Sequence, residues 1–154
     1  MIMIEITLEN LEATLNLGHA CARGLCHNPS IIYLLGDLGA GKTSFAQGFI
    51  KELAPKATPT SPTYAYVHSY PGPTPIHHFD LYRASSTQEI ESLGLVDVLF
   101  DGHAHRLIEW PQVLGPIMRP DLVIELCHTG SMRKATLAGD NKLLALLDIP
   151  HNGC

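Results

Sequence analysis

The 154-residue chain carries 15 acidic and 10 basic residues, a formal net charge of −5, with 45% hydrophobic and 16% charged content. That size buries a real core within one domain, residues 1–154, and the composition excludes a disordered chain. It carries no Lys/Arg cluster, which argues against a domain that grips RNA unaided, and no apolar run long enough to span a membrane.

The opening MIMIEITL has Glu5 and no basic flank, so it reads as a first strand over 2–7 and not as a signal peptide. Asn10 or Thr7 can cap a helix carrying Leu11, Leu15, Ala22 and Leu25, which stops before Asn28-Pro29. Ile31 to Leu35 is short and apolar on both faces, as suits a central parallel strand. A glycine-rich loop follows, then a helix through Leu53 that ends by Pro55. Ala65 to Tyr70 and Ile76 to Leu81 flank the turn-rich PGPTP and predict a hairpin. Ser86-Thr87-Gln88-Glu89 has capping-box spacing and opens a helix toward Leu93-Gly94. Arg106 to Trp110 and Leu122 to Cys127 are strands, Met132 to Ala138 pairs with the latter, and Asn141 to Leu147 closes the chain as a helix. The alternation predicts one α/β domain of P-loop NTPase-like fold, with a mixed central sheet and helices on both faces.

The glycine-rich loop is the most specific feature. Gly36, Gly41, Lys42 and Thr43 fit G-x-x-x-x-G-K-[ST] between a strand and a helix. Glycines permit the positive-φ turns that aim backbone N–H groups at an anion, and the helix adds the positive end of its dipole. Lys42 supplies a mobile charge for phosphates, and the Thr43 hydroxyl is placed to ligate Mg²⁺. Lys42 is expected to face phosphate and not core, so that Lys42→Ala leaves the melting temperature almost unmoved.

A loop of this kind does not name a reaction. Asn141-Lys142 is followed by Leu143-Leu144, so the guanine-reading N-K-x-D motif is missing, as is a D-x-x-G. A metabolite kinase needs arginines to clamp the transferred group, and Arg83, Arg106, Arg119 and Arg133 are dispersed. That kinase reading stays open at this point, as does a nucleotide-gated binding module without useful hydrolysis.

Magnesium requires carboxylate help, and Asp80 and Glu109 both end apolar strands. Trp110, the only Trp, reads as packing that can report on the nucleotide site. In TPTSPTYAY two prolines stiffen a loop bearing Thr60, Ser61 and Thr63, which suits either a nucleotide-sensing switch or a Pro-rich turn. His77-His78 and His103-x-His105 lack a ligand pattern and read as ordinary surface or core histidines. Cys21, Cys26, Cys127 and Cys154 form no C-x-x-C pair and suit a reducing compartment.

Taken together, GDLGAGKTSF at 36–45, SPTY at 61–64, HFDLYR at 78–83, EIESLGLVD at 89–97, IEWPQ at 108–112 and the late Arg133 stand in one order along most of the chain. In this the chain resembles the bacterial TsaE family (formerly YjeE), the ATPase of tRNA threonylcarbamoyladenosine biosynthesis. A departure is Ser44, where many members have Thr. The resemblance implies a cytoplasmic protein, monomeric alone, that binds ATP and Mg²⁺ and joins the ASKHA-fold pair TsaB–TsaD, meeting tRNA only through that complex. By matching positions it implies that Lys42 and the backbone of Asp37, Leu38, Gly39, Ala40, Gly41 and Thr43 hold phosphates, with Thr63 and Arg133 in the nucleotide set. Thr43 and Glu109 would hold Mg²⁺, and Asp80 would orient water or a group behind the metal. The 61–63 loop would act as the switch.

Overall fold

Ile2–Leu8 forms β1, alternating exposed and half-buried positions as a strand with one covered face does. The structure is a computed structural model, and it describes residues 1–149; Cys154 and the end of the expected 1–154 domain lie outside the described residues. Asn10, not Thr7, caps α1 (Leu11–Leu25), its side chain accepting the Ala13 N–H at 2.9 Å. β2 (Ile31–Leu35) leads through the glycine loop into α2 (Lys42–Leu53). β3 (Val67–Tyr70) and β4 (Ile76–Asp80) form the expected antiparallel hairpin.

α3 (Thr87–Ser92) starts at Ser86, whose hydroxyl accepts the Glu89 N–H at 3.1 Å. The capping box is displaced by one residue: the Glu89 carboxylate accepts from the Ser85 N–H and hydroxyl, both at 2.7 Å. α4 (Val96–Leu99) and a kinked 3₁₀ segment (Pro111–Ile117) flank β5 (His105–Glu109) and carry no side-chain caps. β6 (Leu122–Thr129), β7 (Met132–Gly139) and α5 (Asn141–Leu146) complete the order.

The seven strands form one mixed sheet in the order β1-β7-β6-β2-β5-β4-β3. β6, β2, β5 and β4 run parallel at its centre, while β7, β1 and β3 pair antiparallel outside them. β2, the innermost strand, is apolar on both faces, as a parallel strand covered on both sides is. Ile32, Leu34 and Leu107 pack with α1, α2 and α5 on one face. Ile108 and Phe79 pack with Ile90, Leu99 and Leu114 on the other.

Two glycines set how α2 lies. A Cβ on Gly18 of α1 would fall 2.2 Å from the Phe45 carbonyl, and one on Gly48 of α2 would fall 2.1 Å from the Leu15 carbonyl. The helices therefore touch backbone to backbone, which holds the first turn of α2 over the end of β5. Among the described residues Cys21, Cys26 and Cys127 form no disulfide, and burial pushes the Cys21 thiol up to about 12. Among the described residues no helix is long and apolar enough to cross a membrane.

Candidate nucleotide and metal site

The loop after β2 has φ of 143° at Gly36, 79° at Gly39 and 110° at Gly41, a path that side chains resist. A Cβ at Gly36 would also stand 2.4 Å from the Leu126 carbonyl, so the loop lies directly on β6. Gly41 caps α2 with no side-chain acceptor, which leaves the first-turn N–H groups available to an anion.

Lys42 was expected to face phosphate and not core. It is only 5% exposed and folds back on its own loop, donating to the Gly36 carbonyl and, at 2.8 Å, to the Asp37 carbonyl. Its ammonium also stands 4.4 Å from the Trp110 ring centre. Burial lowers its pKa, opposed by the negative charges of Glu109, Asp80 and Asp37.

The two carboxylates meet because β4 and β5 run parallel with Asp80 opposite Glu109. Neighbours in register share a face, and this one looks toward α2. Both are buried, Asp80 at 6% exposure and Glu109 at 3%. The Thr43 hydroxyl, in the first turn of α2, donates to the Glu109 carboxylate at 3.1 Å. Asp80 accepts from the Thr63 hydroxyl at 3.0 Å and from the Tyr82 N–H at 3.0 Å. The 60–63 loop is therefore tied to the site through Thr63, which also bonds Ser61, while Thr60 is held on β3 by His68 and Tyr70.

Leu38, Gly39, Gly41, Lys42, Thr43, Thr63, Asp80, Glu109 and Trp110 together line a cleft of about 230 Å³. Asp37 and Ala40 face a neighbouring hollow beside Glu125 to His128. Arg133 reaches the loop from β7, donating to the Gly39 carbonyl at 3.1 Å. A larger hollow of about 650 Å³ between β1 and α1 contains none of these residues.

The donor set fits a hydrated magnesium ion completed by phosphates. A hydroxyl and a carboxylate side by side are the hard oxygens Mg²⁺ takes, and it rarely uses an all-protein cage. Accordingly, no group of three or more His, Cys, Asp or Glu among the described residues could hold a metal alone.

Trp110 was expected as the last residue of the strand, packing and able to report on the nucleotide site. It leaves the strand in the left-handed region at φ 57°, and its ring packs at a tilt against Tyr82, centres 4.9 Å apart, and borders the cleft.

The family model described as Threonylcarbamoyl adenosine biosynthesis protein TsaE matches residues 8–136. The chain belongs to the TsaE family. Among TsaE relatives, the protein of Rickettsia typhi is 38% identical over 119 residues, covering 76% of this chain and 81% of its own. That of Borreliella burgdorferi is 39% identical over 112 residues, covering 71% and 81%, and that of Haemophilus influenzae 33% over 115 residues, covering 73% and 72%. All three are named "tRNA threonylcarbamoyladenosine biosynthesis protein TsaE". The crystal structure of Bacillus subtilus YdiB superposes with a TM-score of 0.72 at 26% identity, covering 94% of this chain and 91% of that one.

One buried group of this TsaE-family site, the first residue of HFDLYR, was given no role of its own above. His78 is 1% exposed, and its Nε2 lies 2.6 Å from Glu109 Oε2. The signal available in sequence is the spacing of His78 and Asp80, two apart on one strand and so on one face.

Proposed function

We propose that this chain is a Mg²⁺-dependent ATPase, one P-loop domain over residues 1–154, that serves tRNA threonylcarbamoyladenosine formation with the TsaB–TsaD transferase pair. The observation that carries the reading is the meeting of Thr43, Glu109, Asp80 and Lys42 around one cleft at the start of α2. Membership of the TsaE family supports the pathway.

In this reading Lys42 leaves the Gly36 and Asp37 carbonyls to hold phosphate oxygens together with the 37–43 backbone. Thr43 and Glu109 would hold Mg²⁺, which would offset the negative charge of the phosphates. Asp80 orients the attacking water or a group behind the metal. Thr63 carries the state of the site to the 60–63 loop through its bond to Asp80. Arg133 braces the phosphate loop at Gly39 and belongs to the nucleotide-binding set. The protein acts in the cytoplasm and is monomeric alone. Its charge of −5 leaves the holding of tRNA to the partners.

Hydrolysis is favoured over a kinase by where the arginines lie. Arg106 is buried and donates to the Ala104 and Leu99 carbonyls, and Arg83 lies over the Tyr64 ring. Neither forms a lid over the cleft. The test is the fate of ATP labelled at the γ-phosphate: release as free phosphate supports the reading. Transfer to a metabolite, or binding that never exceeds one turnover per site, refutes it.

A further inference from the structure

We infer that His78 is a positioning residue that fixes the orientation of the Glu109 carboxylate and thereby sets the Mg²⁺ requirement of the site. The inference rests on the ATPase reading above and adds a residue to it.

His78 and Asp80 leave the same face of β4, and parallel pairing puts His78 opposite Leu107 and Asp80 opposite Glu109. The imidazole reaches along the strand to Glu109, Nε2 to Oε2 at 2.6 Å. Because the carboxylate only accepts, Nε2 carries the hydrogen. On the other side of the carboxylate the Thr43 hydroxyl donates to Oε1 at 3.1 Å, within reach of Oε2 at 3.2 Å. The carboxylate is thus held from two elements, Oε2 closely by His78 of β4 and the two oxygens almost equally by Thr43 of α2. A flexible glutamate side chain is held between them.

The contact is not replaceable by solvent. His78 is 1% exposed and Glu109 3%. The remaining ring nitrogen, Nδ1, is buried with no partner among the described residues. Among those residues the imidazole has one polar contact, to Glu109. A histidine kept for packing alone needs neither the buried ring nitrogens nor this alignment. Hydrogen-bond partners behind metal ligands act in this way, orienting the ligand and raising its affinity for the ion.

Three variants separate positioning from packing. His78→Leu and His78→Asn lack a donor at the Nε2 position, whereas His78→Gln carries an amide N–H close to it. The expected result is a rise of about 10–100-fold in the Mg²⁺ concentration that half-saturates MgADP binding by calorimetry for the Leu and Asn forms. Turnover falls in parallel, while KM for ATP stays close to wild type. His78→Gln recovers most of both losses. In the unliganded protein, nitrogen-15 imidazole spectra show His78 protonated at Nε2, with a resonance that moves in Glu109→Gln.

The inference is overturned if His78→Leu lowers the melting temperature but leaves the Mg²⁺ requirement untouched, or if Nε2 carries no hydrogen. Should His78→Leu fail to fold, the Gln and Asn forms decide: equal Mg²⁺ requirements overturn it. Lys42→Ala is run alongside. If that variant hydrolyses ATP as the wild type does, the assignment of the phosphate site to this loop fails, and the tautomer and Mg²⁺ measurements still judge His78. If Lys42→Ala is inert while all His78 variants keep the wild-type Mg²⁺ response, only the His78 inference fails.

Discussion

Lys42→Ala has two consequences that the bent-back side chain makes separable. In the structure the ammonium donates to the Gly36 and Asp37 carbonyls and lies over Trp110. Each charge-assisted bond contributes roughly 1.5–3 kcal/mol. Part of that is offset, because truncation also relieves the burial of a charge at 5% exposure. The net loss is about 2 kcal/mol, which for a chain of this size lowers the melting temperature by about 4–8 °C. This replaces the expectation, drawn from the motif, that the fold would hardly notice. With nucleotide, losing one charged contact to phosphate weakens ATP binding by about one to two decades, and turnover stops. Scanning calorimetry on the unliganded protein and titration with ATP measure the two effects. An unchanged melting temperature would mean that Lys42 does not rest on its own loop. Normal hydrolysis would mean that the loop is not the phosphate site.

Three further predictions follow from neighbouring parts of the structure. Glu109→Gln should raise the Mg²⁺ requirement and cost about 10–100-fold in turnover, whereas Asp80→Asn should cut turnover with less effect on Mg²⁺; the opposite pattern in Mg²⁺ titrations would reverse their roles. His105, fully buried against Phe49 with Nδ1 accepting from the Ser30 N–H, is driven by burial from 6.5 down to about 4. The unfolded chain takes up its proton first as pH falls, so stability is lost between about pH 6.5 and 4, by about 3 kcal/mol. Urea unfolding at pH 7 and pH 4 should show that loss in the wild type and not in His105→Phe, and equal losses would refute it. Gly48→Ala should cost about 3 kcal/mol in the same assay, because its Cβ would meet the Leu15 carbonyl at 2.1 Å with backbone on both sides; an unmoved midpoint would mean that α1 and α2 do not touch.

What the sequence made legible were the features whose signal is local. β2, the glycine loop and α2 announce themselves by a short apolar run, three glycines and a Lys-Thr pair, and Asn10 and Ser86 mark helix starts by chemistry that needs no partner. α4 and the 3₁₀ segment escaped because each is about one or two turns long and has no side-chain cap. Trp110 was read as the last residue of a strand, since nothing in IEWPQ reveals that the chain turns left-handed there. His78 was passed over because its importance is created by strand pairing: only with Asp80 opposite Glu109 does a histidine two residues earlier reach that carboxylate. The motif marks Lys42 as a phosphate-loop residue, but its bonds to the Gly36 and Asp37 carbonyls leave no trace in the sequence. A motif defines what a side chain binds when phosphate is present and says nothing of the loop carbonyls that compete for the same ammonium.

The central claim is that ATP turnover at this cleft serves tRNA modification. An arginine supplied by a partner can raise phosphoryl-transfer rates by about 10³–10⁵, and no arginine lid covers the cleft among the described residues. Slow hydrolysis alone and faster hydrolysis with the transferase pair are therefore expected. The direct measurement is reconstitution of the TsaB–TsaD pair with tRNA and threonylcarbamoyl-adenylate, counting modified adenosines per transferase. The account predicts many turnovers only when this protein and ATP are both present. Equal cycling without the protein, or with Lys42→Ala in its place, would contradict it.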